Sequence, residues 1–407
     1  MIDQHTTCPV PRTVSLHKGA IPVSAETLLQ PLTESGDVQL PTISDRRADV
    51  EQKTARIGAL LQSVGCEGLV LFEPENLAWL TSGGASRGVP DSAAAPAVYC
   101  NGEQRWLIAS NADSQRFFDE EIDSLGFQLK EWPWHWGRER LLTELCRSRR
   151  VASDRAVGAY HVVADELRQL RRILTPYEQA CLLTLGQTLS HALEATCRHL
   201  AVNETEREAA GQISHRLMHR GAVPVHVGVA ADGRSRLYRH FGFTSTPIRR
   251  YAVLTAVARK YGLYAAASRS MSFGPVDGEF QKEQNAVCRV SASYLASTWP
   301  DAMPREILTA GRRIYLISGY EHEWMQAPQG WLTGRVAVEQ MLTPQTEELF
   351  HPGYAVAWAA NAGAASGLDT FLITEQGPKD MTPPEAWPLK RIRIQGAEFV
   401  RPDVLQR

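Results

Sequence analysis

The segment YAVLTAVARKYGLYAAASRSMSFG, residues 251–274, constrains the fold of this chain more than any other. It predicts two β-strands joined by a tight turn, with alanine and serine at the inner positions of the second strand. Two amphipathic helical segments precede it. The first begins at Thr175-Pro176, with Glu178 near its start, and the second has Thr205 as its cap. This order predicts an α+β domain with helices against a mostly antiparallel sheet.

The first part of the chain has a different pattern. A helix is expected from about Ser44, with Asp45 close behind, to about Gly65. Short strands and helices then alternate, with a hairpin over the sequence NGEQ, which predicts a small α/β domain. Residues 1–45 contain five prolines and no periodicity, and predict an extended or disordered arm. The predicted domains are therefore residues 1–45, 46–165 and 166–407.

Composition excludes several classes of function. The net charge of −2 gives no electrostatic basis for binding nucleic acid or an anionic membrane surface. No apolar run approaches the ~18 residues of a membrane helix, and the N-terminus lacks a secretory h-region. Seven cysteines are scattered without C-x-x-C spacing, which is typical of free thiols in a reducing cytoplasm. We therefore expect a cytoplasmic protein.

Motifs with a chemical role are few. The sequence has no G-x-G-x-x-G, Walker or G-x-S-x-G motif, and HEWMQ, residues 322–326, lacks the second histidine of a zincin. The segment YRHFGFTST places Arg239 beside His240. A histidine transfers protons near neutral pH, and an arginine can hold a carboxylate with two hydrogen bonds. The alternative is a histidine whose ring is satisfied at the edge of a loop.

The second half resembles the creatinase/aminopeptidase P/methionine aminopeptidase superfamily, and four segments carry the resemblance. These are the two leading helices, RHFGFTSTP, VARKYGLYAAASRSMSFG, and the pair QAPQGWLTGRVAVE and AVAWAANAGAASGLDTFLIT. The sequence PENLAWLTSG is similar to the creatinase N-terminal domain. The resemblance covers roughly residues 45–407. It implies an α+β pita-bread catalytic domain preceded by a smaller α/β creatinase-type domain.

The same resemblance implies where a metallopeptidase of this family would bind two divalent ions. The two aspartates correspond to Thr255 and Ala266, and the histidine corresponds to Ala327 or Pro328. The two glutamates correspond to Ala359 and Leu368. One threonine hydroxyl is the only side-chain donor in this set, which is too little for a hard or borderline cation. We therefore expect no bound metal or other cofactor and no metallopeptidase activity.

Creatinase and ectoine hydrolase are metal-free members of this family that cleave C–N bonds of small amino-acid-like molecules. The catalytic histidine of creatinase corresponds to His240, but its two glutamates correspond to Ser268 and Ala359. The predicted catalytic residues are His240, Glu339 and Ser268. A second group is predicted to bind substrate: Arg239, Arg269, Tyr261, Tyr264, Trp324 and Trp331. Arg269 has an equally weighted structural alternative, pairing with a carboxylate. Tyr261 and Tyr264 are three apart on a predicted strand and face opposite sides, so at most one of them is expected to reach the pocket.

The sequence thus predicts a metal-independent enzyme acting on a small amino-acid-derived, amide- or amidine-containing molecule. The reaction would be C–N hydrolysis or a related rearrangement or cyclisation, possible within specialised metabolism, with His240 as acid/base. The main alternative is a non-catalytic pita-bread protein that binds a ligand or a protein partner. A lyase or isomerase is a third alternative. The resemblance also implies a homodimer.

Overall fold

The computed structural model describes residues 41–85 and 95–407. The predicted arm, residues 1–45, lies outside the described residues except for its last five. Thr42 caps the first helix, α1 (Ile43–Val64), within a residue or two of the predicted start. The Asp45 side chain completes a capping box with Thr42, and Gly65 ends the helix with a φ of 66°.

The first sheet has six strands in the order β4-β3-β2-β1-β5-β6. Its strands are β1 (Gly68–Leu71), β2 (Ala97–Cys100), β3 (Arg105–Ser110), β4 (Gln128–Trp132), β5 (Val151–Ser153) and β6 (His161–Val162). The helices between them are α2 (Pro74–Leu80), α3 (Ser114–Glu121) and α4 (Glu139–Leu145). The sheet contains both parallel and antiparallel strand pairs, and helices separate several of its strands along the chain. This part of the chain therefore has the predicted α/β organisation. The strands β2 and β3 form the expected hairpin.

Three helices lead into the second part of the chain. They are α5 (Ala164–Arg172), α6 (Pro176–His199) and α7 (Glu206–His219). Thr175 and Glu178 form a capping box at the start of α6, and Thr205 and Glu208 form another at α7. These local signals fix both starts at the predicted positions.

The second part contains a four-stranded sheet, a five-stranded sheet and a two-stranded hairpin. The four-stranded sheet has the order β17-β9-β8-β7 and is built from β7 (Val223–Ala231), β8 (Tyr251–Lys260), β9 (Leu263–Ser272) and β17 (Val404–Gln406). The five-stranded sheet has the order β11-β10-β12-β13-β14. Its strands are β10 (Gly330–Thr333), β11 (Gln340–Met341), β12 (Ala355–Ala362), β13 (Ala365–Thr374) and β14 (Gly377–Asp380). A separate hairpin joins β15 (Leu389–Ile394) to β16 (Ala397–Pro402).

Both the four-stranded and the five-stranded sheet are covered by helices on one face. Leu254, Ala256 and Ala258 of β8 are buried in one core with side chains of α6 and α7. Val356 and Trp358 of β12 are buried in a second core with side chains of α8 (Gly278–Ser297) and α9 (Pro304–Ile317). Because side chains alternate along a strand, the neighbouring residues point to the opposite face, which we call the inner face of each sheet.

Buried charges join the first part of the chain to the second. The Lys53 ammonium, which is fully buried, donates to Asp49 and lies 2.8 Å from the Glu178 carboxylate. Arg335 donates to the same Glu178 oxygen and to the carbonyl of Tyr261. Two cations and two carboxylates balance in this network, which makes the burial of each charge tolerable. Within the described residues, no helix is both long and apolar enough to cross a membrane.

Candidate functional site

The strand pairing of β7, β8 and β9 shows which residues lie on the inner face of the four-stranded sheet. His226 of β7 stands opposite Val257 of β8, and Val257 stands opposite Ala266 of β9. The next row along the sheet is Gly228, Thr255 and Ser268. Residues directly opposite each other share a face, so His226 points to the same side as Ala266, about 10 Å away at two strand spacings.

The inner face of the five-stranded sheet, which contains β12 and β13, adjoins the inner face of the four-stranded sheet. Ala359 and Leu368 are a cross-strand pair on β12 and β13. The Leu368 N–H donates to Ser268 Oγ over 2.7 Å. Thr370 Oγ accepts from the Ala266 N–H and donates to its carbonyl, over 2.9 and 3.0 Å. The two inner faces therefore meet along β9 and β13, and we call this joint surface the inner cleft.

The inner cleft gathers positions that the resemblance assigns to metal ligands. Thr255, Ala266, Ala359 and Leu368 all lie on it, and the Ala359 N–H donates to Gln329, the residue after Pro328. The Thr255 hydroxyl already donates to the Ala267 carbonyl over 3.3 Å. No group of three or more His, Cys, Asp or Glu residues suited to a metal occurs in the described part of the chain. The residues at these positions do not fit a pair of divalent cations.

A loop carrying His240 crosses the inner face at Gly228. A Cβ atom at Gly228 would lie 2.5 Å from the Phe241 carbonyl oxygen, so only glycine allows the loop to come this close. The Val229 N–H donates to the Gly242 carbonyl over 3.0 Å and fixes the loop to β7. His240 is exposed at this crossing. The loop therefore places the predicted acid/base over the row that contains Thr255.

His226 is a second histidine in the cleft, and the sequence analysis missed it. His226 is exposed to solvent, but partial desolvation of its ring lowers its pKa, and the nearby His240 lowers the pKa further, against the opposing effect of a hydrogen bond to the Phe241 backbone. A histidine with a lowered pKa is neutral at pH 7 and can accept a proton. The cleft thus holds two imidazoles, at least one of them suited to act as a base.

Arg239 and Arg269 are both engaged by protein groups. Arg239 donates to the Glu323 carboxylate over 2.7 Å and to two backbone carbonyls, and its side chain is 9% exposed. Arg269 is 1% exposed and lies between the Glu194 and Asp369 carboxylates, at 3.2 and 2.8 Å. Burial among carboxylates raises the pKa of Arg269, because the attraction of Asp369 and Glu194 outweighs its desolvation. Each guanidinium is held by its own buried partner.

Arg259 is a different case, and sequence reasoning missed it as well. It lies on β8 two residues after Val257, opposite Tyr264 of β9, and so belongs to the inner face. It is half-buried and makes no side-chain hydrogen bond or ion pair with any described residue. The signal was present in the sequence: the alternation in TAVAR places Thr255, Val257 and Arg259 on one face.

The two predicted tyrosines differ in position. Tyr264 lies on β9 in line with Ala266 and Ser268, on the inner face. Tyr261 is not on a strand, because it occupies the β8–β9 turn with Gly262, at φ values of 55° and 65°. The expectation that both lie on one strand was therefore wrong. A two-residue turn with positive φ at both positions suits the twist of the hairpin.

Of the remaining predicted residues, Trp331 borders the cleft, whereas Trp324 and Glu339 have other contacts. Trp331 lies opposite Ala357, which shares the inner face with Ala359, so its indole borders the cleft. Trp324 lies on a short 3₁₀ helix (Glu321–Met325), packed against the core of α8 and α9 and stacked with Arg312. Glu339 has a 1% exposed side chain and receives two hydrogen bonds of 2.9 Å from Arg171.

Comparison with known proteins identifies the architecture. No protein-family model and no curated protein matches the sequence. Among solved structures, the prolidase from Pyrococcus horikoshii OT3 matches with a TM-score of 0.69 at 16% identity, over 82% of this chain and 99% of that chain. Dipeptidase PepE from Mycobacterium ulcerans matches with 0.68 at 17% identity, over 89% and 99%. The chain has the pita-bread fold.

The fold class expected from sequence is thus confirmed, with an α/β domain before the pita-bread domain. Pita-bread chains also occur in other contexts. The N-terminal domain of the FACT complex subunit SPT16 from Cicer arietinum matches with a TM-score of 0.61 at 9% identity, over 84% of this chain and 96% of that chain. At these identities the matches establish the fold, and the activity must be argued from the cleft itself.

Proposed function

We propose that this protein is a metal-independent acid–base enzyme that acts on a small anionic molecule containing an amide or amidine group. The observation that carries the proposal is the shared inner face of His226 and Arg259, with His240 on the loop above. Together these residues supply a base, a second imidazole and a cation that has no partner among residues 41–85 and 95–407. The solved prolidases and dipeptidases of the same fold act on small peptides, as their names state, which favours C–N chemistry in this cleft.

The roles follow from the positions of the groups. Arg259 would hold a carboxylate or similar anion of the substrate, because its guanidinium offers several N–H donors on the inner face. Neutral His226 would take a proton from an attacking water, and His240 would return one to the leaving nitrogen as the C–N bond breaks. One positioned acid or base contributes about 10²–10⁴-fold in rate, which suits an activated bond better than an ordinary peptide. A proton-transfer rearrangement or cyclisation would use the same groups.

Other residues of the cleft would shape the substrate site. Trp331 and Tyr264 offer aromatic surface beside the apolar pair Ala359 and Leu368, so the body of the substrate would be largely apolar. Ser268 accepts a hydrogen bond from Leu368 and would serve to hold the two sheets together. Arg239, Arg269 and Glu339 are held in buried ion pairs, and we assign them structural roles in this proposal.

A separate observation supports a second candidate function. Leu237, Tyr238 and Phe243 surround His240 on the same loop and are 75%, 54% and 48% exposed. Exposed apolar side chains in one place are typical of a surface that binds another molecule. The loop would then bind a protein partner, and the protein would be a non-catalytic binding protein.

The experiment that separates these functions is a ligand screen by thermal shift, with a chelator present throughout. The panel holds guanidino acids, lactams, cyclic amino acids, dipeptides and small amidines, and each is tested with the parent protein and with Arg259→Met. The enzyme proposal expects a hit that raises Tm and is lost in Arg259→Met. A hit retained by Arg259→Met, or no hit in a folded protein, contradicts it and favours the binding protein.

The family resemblance and the composition lead to two further proposals. We propose a homodimer, supported by Trp134 and Trp136, which are 72% and 58% exposed on one loop of the α/β domain. Light scattering of the purified protein tests it, and a monomeric mass would contradict it. We also propose a cytoplasmic location, which fits the six described cysteines, because all are free and buried.

A further inference from the structure

A small polar cavity lies behind the inner cleft, between β9, α8 and the link from β16 to β17. Its volume is about 20 Å³, enough for one or two molecules of the size of water. Ser268 and Ser270 of β9 line it on one side, and Gln284 and Cys288 of α8 on another. Ser268 belongs to both regions, because its hydroxyl accepts from Leu368 at the inner cleft.

Three residues that line this cavity each have a buried oxygen atom with no hydrogen-bond partner among the described residues. These atoms are Ser270 Oγ, Gln284 Oε1 and Asp403 Oδ1. Ser270 and Gln284 are only 3% and 4% exposed. A buried polar atom without a partner is unfavourable, so three around one cavity indicate a site that receives a polar group.

The orientation of each group shows what kind of molecule the site accepts. The Gln284 amide nitrogen donates to the Pro402 carbonyl over 3.1 Å, which leaves the amide oxygen as an acceptor. The Asp403 carboxylate uses its other oxygen, Oδ2, for Lys390 at 3.4 Å. A carboxylate and an amide oxygen both require a donor, and the serine hydroxyl can accept as well. An anion or a carbonyl oxygen would be repelled here, because its lone pairs would face those of the acceptors.

The neighbouring cations are already matched by carboxylates. Arg401 lines the cavity and pairs with Asp369, and Arg269 pairs with Asp369 and Glu194. Asp403 is paired with Lys390 through its other oxygen, so its free oxygen acts here as a third hydrogen-bond acceptor beside those of Ser270 and Gln284. Three acceptors around one cavity favour a small molecule that donates several hydrogen bonds.

We propose that this cavity is a binding site for an ammonium ion. An ammonium ion is close to water in size, carries four N–H donors and is positively charged, so it satisfies all three acceptors in the volume available. A potassium or sodium ion fits less well, because hard cations of this kind take more oxygen ligands than the three left free here. The site is independent of the chemistry proposed for the inner cleft.

The test is thermal unfolding in a series of ammonium chloride concentrations, with sodium chloride keeping total chloride constant and a parallel series in potassium chloride. A ligand that binds only the folded protein raises Tm as its concentration passes its dissociation constant. We expect a saturable rise of a few degrees with ammonium and none with potassium. Isothermal titration with ammonium chloride measures the same affinity directly.

Variants locate the effect. Ser270→Ala and Asp403→Asn should each abolish or reduce the ammonium response at least tenfold in affinity. Ser272→Ala is the matched control, because Ser272 lies on the same strand, is also 3% exposed, and bonds to Arg250 instead of the cavity. Ser270→Ala removes an unpaired oxygen and should fold normally. An equal response to all three chlorides, or an ammonium response unchanged in Ser270→Ala, overturns the proposal.

Discussion

Ala359 and Leu368 stand directly opposite each other on β12 and β13, on the inner face where the resemblance places two metal-binding glutamates. Two apolar side chains at this pair offer no ligand to a divalent ion. We expect Mn²⁺ or Mg²⁺ to leave Tm unchanged, and a chelator to change neither Tm nor ligand binding. Metal analysis after dialysis checks this directly. A stoichiometric metal that resists the chelator would contradict the metal-independent assignment.

The lowered pKa of His226 predicts a pH dependence of stability. The unfolded chain binds a proton at His226 at a higher pH than the folded protein does, so the free energy of unfolding falls as pH drops below about 6.5. His226→Gln should flatten this part of the Tm–pH curve. His161→Gln, at an exposed histidine of β6, is the control and should keep the parent slope. A parent-like slope in His226→Gln would show that His226 is not responsible.

Gly228→Ala tests how the His240 loop is placed. The new Cβ would lie 2.5 Å from the Phe241 carbonyl oxygen and 2.8 Å from Thr255 Cγ2, so the loop must shift. We expect a loss of about 1–3 kcal/mol in the free energy of unfolding and a loss of ligand binding. Gly211→Ala, on α7 with no atom near the new Cβ, should be neutral or slightly stabilising. Equal effects in denaturant unfolding would contradict the close approach of the loop.

Arg259 and Arg269 should respond differently to the same substitution. Arg269→Met removes from the buried Glu194 and Asp369 carboxylates the one cation that they share, and should cost about 3–5 kcal/mol. Arg259 has no partner among the described residues, so Arg259→Met should stay within about 0.5 kcal/mol of the parent while losing ligand affinity. Denaturant unfolding and ligand titration of both variants check the pair. A large loss of stability in Arg259→Met would assign it a structural role.

Local signals were predicted well from the sequence. The caps at Thr175 and Thr205 and the hairpin between β2 and β3 depend on residues three or four apart, so the sequence contains everything that decides them. The fold class followed from the order of helices and strands. Tyr261 was misplaced because a tight turn with positive φ needs only two residues, and Tyr261-Gly262 supplied them.

The partners of charged residues depend on distant parts of the chain. Arg239 pairs with Glu323, and Arg269 pairs with Glu194 and Asp369. The partners in these three pairs are 84, 75 and 100 residues apart in sequence, so no local pattern predicts them. His226 enters the cleft only through the register of β7 on β8, which sequence alone did not give. Arg259, by contrast, was accessible from strand alternation, once Thr255 had been assigned to the inner face.

The most direct test of the central claim is a measurement of catalysis in the presence of a chelator. Each compound that raises Tm is incubated with the protein, and consumption of the compound is followed by mass spectrometry together with amine release. We predict turnover that falls at least about 10²-fold in His226→Gln and in His240→Gln, with both variants folded. A ligand that binds in an Arg259-dependent manner but is never consumed would contradict the enzyme assignment and leave a binding protein with a pita-bread fold.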